Sequence, residues 1–84
     1  MSTGVQWTGT IAPNATQRWF TFNWPASLHV VWYLMPVTPR GGAPEMEWEV
    51  AVERANSNYA TYWITVRNLT PVTVAFQGRY AVLS

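Results

Sequence analysis

Apolar and polar residues alternate with a period of two along most of this chain, in short runs rich in Val, Thr, Trp, Tyr and Phe. No segment repeats its apolar residues at helical spacing. Runs of this kind, broken by Pro, Gly and Asn, are the pattern of half-buried strands. The pattern predicts six or seven strands, at about 5–12, 17–24, 28–35, 45–54, 59–68, 72–77 and 79–83; the last two count as one if the chain bends or bulges at Gly78. The breaks carry turn chemistry: Pro13-Asn14, Pro25 and Asn68-Leu69-Thr70-Pro71. Pro36 to Pro44, with Gly41-Gly42 inside it, is the longest loop, and Asn56-Ser57-Asn58 closes a hairpin between two strong strands.

Alternation assigns the faces. The first strand buries Val5, Trp7 and Ile11. The second buries Phe20, Phe22 and Trp24, leaving Gln17, Trp19, Thr21 and Asn23 opposite. The third buries Leu28, Val30, Trp32 and Leu34, yet Val31, Tyr33 and Met35 make its other face apolar too, beside His29. The fourth is the clearest, with Met46, Trp48, Val50 and Val52 inward and Glu45, Glu47, Glu49 and Glu53 outward. The fifth buries Tyr62, Ile64 and Val66 and exposes Thr61, Trp63, Thr65 and Arg67. The final segment buries Val72, Val74, Phe76, Tyr80 and Val82.

One inner face per strand and short connections predict an all-β domain spanning residues 1–84. Its form is a small antiparallel β-sandwich or flattened barrel of six to seven short strands. Residues 5–24 read as a hairpin joined between Pro13 and Thr16, and 45–68 as a second.

Composition narrows the classes. The 84 residues (9.5 kDa) include five Arg and four Glu but no Lys, Asp or Cys, so 11% are charged; 15% are aromatic, six of them Trp. Disordered chains are charge-rich and aromatic-poor. A formal charge of +1 offers no basic field for nucleic acid. No run of 18 apolar residues is present, so no membrane-spanning helix is expected. Met1-Ser2-Thr3-Gly4 lacks the basic-then-apolar pattern of a signal peptide, which leaves the cytoplasm as the default expectation. Without Cys there are neither disulfides nor thiolate metal sites. A chain this small must then draw stability from an aromatic core or from a partner subunit.

The groups that carry catalysis are scarce. A Ser-His-acid triad would need His29, a Glu and one of Ser2, Ser27, Ser57 or Ser84. The Glu45-Glu47-Glu49 run has a residue spacing of about 6.6 Å along a strand. Both carboxylates would nevertheless stand on one side of a substrate, whereas paired-carboxylate hydrolysis flanks the bond. Outward glutamates are better read as protection of an edge strand against edge-to-edge pairing. His29 with these glutamates lacks metal-ligand spacing, and Gly41-Gly42 lacks the Lys and helix of a phosphate loop. Asn14-Ala15-Thr16 and Asn68-Leu69-Thr70 match the glycosylation pattern but read as turns. The expectation is a non-enzymatic protein with no cofactor and no metal.

The positive signal is the outward aromatic set Trp19, Tyr33 and Trp63, with Gln17, Asn23, Thr61, Thr65 and Arg67 beside it. Trp, Tyr and Arg dominate protein interfaces. Aromatic rings beside amides and hydroxyls also suit sugars. The leading reading is a self-associating binding or assembly module, a homo-oligomer. A lectin-like carbohydrate-binding domain and a small hydrolase using His29 and a Glu follow it.

Gly9-Thr10-Ile11-Ala12-Pro13-Asn14 followed by Trp19-Phe20-Thr21-Phe22 resembles the opening hairpin of bacterial pre-peptidase C-terminal-type β-sandwich domains. The likeness covers about a quarter of the chain, and the acidic positions expected later are missing, so it assigns no functional residue. The Lys-free, Arg-only composition accords with a GC-rich bacterial genome.

Overall fold

The computed structural model describes residues 1–83. It contains six strands: β1 (Ser2–Ile11), β2 (Thr16–Pro25), β3 (His29–Pro36), β4 (Met46–Arg54), β5 (Tyr59–Asn68) and β6 (Val74–Leu83). They form two three-stranded antiparallel sheets, ordered β1-β6-β3 and β2-β5-β4. This is the all-β architecture that the alternation predicts, and its packing fits a small β-sandwich. No helix among the described residues is long and apolar enough to cross a membrane.

The chain changes sheet at four of its five connections. The expected 45–68 hairpin is present as β4–β5. The expected 5–24 hairpin is not: β1 pairs with β6 and β2 with β5, so residues 12–15 arch from one sheet to the other. A short Pro-Asn connection serves an arch as well as a hairpin, and period-two alternation does not tell the two apart. β5 and β6 are the central strands, and four of the six strands are edges. The edges are blunted locally, by bulges in β1 and β2 and by the glutamates of β4.

Rings fill the space between the sheets. Trp32 meets Trp24 edge-on at 5.1 Å between ring centroids, and Trp19 meets Phe76 at 5.2 Å. Trp7 lies 6.2 Å from both Trp32 and Phe76. Ile11, Leu34, Ile64, Val66 and Val74 complete the buried core.

Two bulges reverse parts of the face assignment. Between Val5 and Trp7 the register shifts by one residue, so Trp7 is inward as expected but Val5 is exposed. A second shift lies between Thr21 and Trp24, where Asn23 takes φ +63°. Trp24 therefore shares the inner side with Trp19 and Thr21, while Phe20 and Phe22 point out. The parity read from Phe20, Phe22 and Trp24 is corrected accordingly. On β4 only Met46 is buried; Val50 and Val52 run past the cover of the opposite sheet and are exposed, as are Leu28 and Val72 at strand ends.

Gly78 is neither a bend nor a bulge. β6 runs straight through it, and the irregularity sits in β1 opposite. The six-membered ring of Trp7 lies directly on the Gly78 backbone, where a Cβ would overlap it.

Candidate functional site

The outer face of β2–β5–β4 gathers most of the chemistry. Its registers set residues in rows across the three strands: Thr16–Arg67–Glu47, then Arg18–Thr65–Glu49, then Phe20–Trp63–Ala51. Phe20 stacks on Trp63 with centroids 5.0 Å apart and planes 30° from parallel. Phe22 continues the series 6.1 Å from Phe20. The guanidinium of Arg18 lies 5.9 Å from the Trp63 ring, and its Nε donates to Thr65 Oγ1 at 3.2 Å. The result is a ladder of three rings, each turned about 30° from the next, ending in a cation. Phe20 is 58% exposed and Phe22 61%.

Three glutamates border this ladder and differ in what they do. Glu53 Oε1 accepts from Trp63 Nε1 at 2.9 Å. Glu47 pairs with Arg67 at 2.7 Å. Both members of that pair are more than half exposed, so it contributes only about 0–1 kcal/mol. Glu49 has no partner among the described residues and stands across Thr65 from Arg18. Glu45 is elsewhere, accepting from the Arg40 backbone N–H at 2.8 Å. Thr16, Glu47, Trp48, Glu49, Thr65 and Arg67 line a shallow hollow of about 140 Å³.

The residues expected to form one site fall in three places. Trp63, Arg67 and Thr65 are on this face as read, whereas Thr61, expected to be exposed beside them, is buried. Trp19 is not: it is a core ring, packed on Phe76 and 6.4 Å from Trp7. Gln17 is exposed but shares its side of β2 with Trp19, away from Trp63. Asn23 is exposed in the bulge, its left-handed backbone rather than its amide setting the geometry. Tyr33 is on an outer face, but of the other sheet, opposite Arg79. Its neighbours there include the exposed Val5, Val31, Met35, Val37 and Leu83, and Arg79 is the charged side chain at the centre of that face.

Sequence alternation passed over Phe20, Phe22, Arg18 and Ala51 as surface residues. One signal points to the β2 residues among them: Asn23 between two aromatic positions, since Asn tolerates the left-handed conformation that a bulge requires.

His29 opens β3 on the sheet opposite the glutamates of β4, and no hydrogen bond joins it to a serine or a glutamate among the described residues. Ser2, Ser27 and Ser57 are exposed; Ser84 lies outside the described residues. Asn68 of the second glycosylation-like triplet is 1% exposed and fully bonded inside the fold. The triplet is turn chemistry, as its sequence suggests.

Comparison with known proteins leaves this geometry as the whole basis for a functional reading: no family model, no curated protein and no solved structure matches the chain.

Proposed function

We propose that this chain is a non-enzymatic β-sandwich module that self-associates, presenting an assembled surface rather than an active site. One observation carries the reading: Phe20 and Phe22 stand side by side on a sheet face, each more than half exposed, next to Trp63. Burying such a ring is worth about 1.5–3 kcal/mol over leaving it in water, so neighbouring exposed rings favour association. The apolar outer face of the other sheet adds to the same tendency. Sedimentation velocity checks it directly. Complexes of at least two chains are expected at tens of micromolar, and a single species of 9.5 kDa at that concentration would remove the reading.

A carbohydrate ligand is the second reading. It is favoured by the open faces of Phe20 and Phe22 beside the hydrogen-bonding groups of Arg18, Thr65 and Glu49. The indole N–H of Trp63 is already held by Glu53 and its ring is covered by Phe20, which weakens it. A glycan panel separates the two, because sugar binding that is lost in Phe20→Ala while the mass stays 9.5 kDa fits only the second.

A further inference from the structure

The outer face of β2–β5–β4 is complementary to itself. Resting on the self-association reading, we propose that it is a twofold dimer interface whose occupant is a second copy of this chain. The argument starts from the rows. A twofold axis lying between two such faces and parallel to β5 keeps each row in place and exchanges its ends. The row Arg18–Thr65–Glu49 then meets its own copy reversed, so Arg18 faces Glu49 of the second copy and Glu49 faces its Arg18. These are the cation at the end of the ring ladder and the carboxylate that has no partner among the described residues. The next row, Phe20–Trp63–Ala51, is reversed in the same way and sets the large Phe20 over the small Ala51. One operation thus pairs opposite charges in one row and a large side chain with a small one in the next, where Trp63 meets its own copy on the axis. Packed sheets cross at roughly 30°. At positions one strand spacing from the axis that moves facing residues by only about 2–3 Å, within side-chain reach.

Other arrangements do worse. An axis across the strands through the same row places Arg18 on Arg18. A twofold through the outer face of β1–β6–β3 brings Arg79, on the central strand, toward Arg79 of the second copy. Its side-chain partner there is Gln77, not a carboxylate. Arg67 also approaches its copy in the favoured arrangement, but each carries Glu47 with it at 2.7 Å, so a neutral pair meets a neutral pair. Three strands of nine or ten residues cover on the order of 500 Å². Two copies therefore bury roughly 1,000 Å² in total, the lower limit of specific interfaces, which fits micromolar association.

Charge exchange tests the geometry. Arg18→Glu places two carboxylates together at both ends of the row, and Glu49→Arg places two guanidinium groups there. Each is expected to raise the dimer dissociation constant about 50-fold or more, since like charges facing each other cost several kcal/mol. Mixing the two variants makes both contacts attractive again, so two chains that are monomeric alone are expected to form a heterodimer. The double variant R18E/E49R is expected to recover the homodimer. Ala51→Trp, at an exposed position, checks the volume match by blocking Phe20 of the second copy, and native near-ultraviolet dichroism confirms folding of each variant. Wild-type protein that stays at 9.5 kDa overturns this proposal and the self-association reading together. Wild-type dimers that ignore both charge reversals, or variants that dissociate but do not recombine, overturn the proposed interface alone.

Discussion

Replacing Asn68 with alanine is expected to lower the stability of the fold by about 3–4 kcal/mol, near the upper end for a single substitution. The side chain sits at the end of β5, 1% exposed, beneath two of the connections that carry the chain between sheets. Its Nδ2 donates to the carbonyls of Ile11 at 3.2 Å, Ala12 at 3.1 Å and Val72 at 2.7 Å, with two hydrogens shared among three acceptors. Its Oδ1 accepts from the Thr70 backbone N–H at 2.9 Å and from Thr70 Oγ1 at 2.8 Å. One amide therefore ties the 12–15 arch to the 69–73 arch. A loop that enters the interior must have its backbone groups met, and a side chain that leaves several of them unmet costs about 1–3 kcal/mol for each buried group. Urea unfolding checks the loss as a lower midpoint at unchanged slope. Asn68→Asp separates bonding from packing. The carboxylate fills the same volume but replaces the donor with an acceptor facing three carbonyls, and it is expected to be at least as damaging as alanine. Wild-type stability in Asn68→Asp would show that the donor is dispensable.

This residue also marks what alternation can and cannot show. Strand positions and inner faces follow from period-two alternation wherever the ladder is regular. Trp32 and Leu34 on β3, and Tyr62, Ile64 and Val66 on β5, are buried as read. One extra residue defeats the reading, because it moves every later side chain to the opposite face. β2 carries rings on both faces, so its hydrophobicity gave no warning that Asn23 interrupts the phase. Alternation therefore puts Trp19 outside and Phe20 and Phe22 inside, the reverse of the structure. The charged and aromatic composition of the candidate face is legible, in that alternation puts Trp63, Arg67, Glu47, Glu49 and Glu53 outward. Its neighbours across the sheet were not. Which strand lies beside which depends on whether a four-residue connection turns back or arches over, and Pro13-Asn14 permits either. The rows Arg18–Thr65–Glu49 and Phe20–Trp63–Ala51 follow only once β2 is known to pair with β5 rather than with β1.

Gly78→Ala is expected to destabilise the protein by about 2–3 kcal/mol, although the substitution alone should favour a strand. Alanine in place of a strand glycine restricts the unfolded chain and is worth roughly 0.5–1 kcal/mol where the site accepts a Cβ. Here φ is not left-handed, so the obstacle is steric: the added Cβ overlaps the Trp7 ring. That ring is held by Trp19 at 6.4 Å, Trp32 at 6.2 Å and Phe76 edge-on at 6.2 Å. Moving it off Gly78 disturbs all three contacts, so the strain passes into the packed interior, where added volume costs about 1–3 kcal/mol. The bulge beside Val5 belongs to the same arrangement, since it is what brings Trp7 opposite Gly78. Trp7→Leu removes the obstacle at its own cost of a few kcal/mol. In that background Gly78→Ala is expected to become neutral or stabilising. The double-mutant cycle then shows a coupling of about 2 kcal/mol, within the range for residues in contact. Additive losses in the cycle would mean that Gly78 is required for some reason other than the ring lying on it.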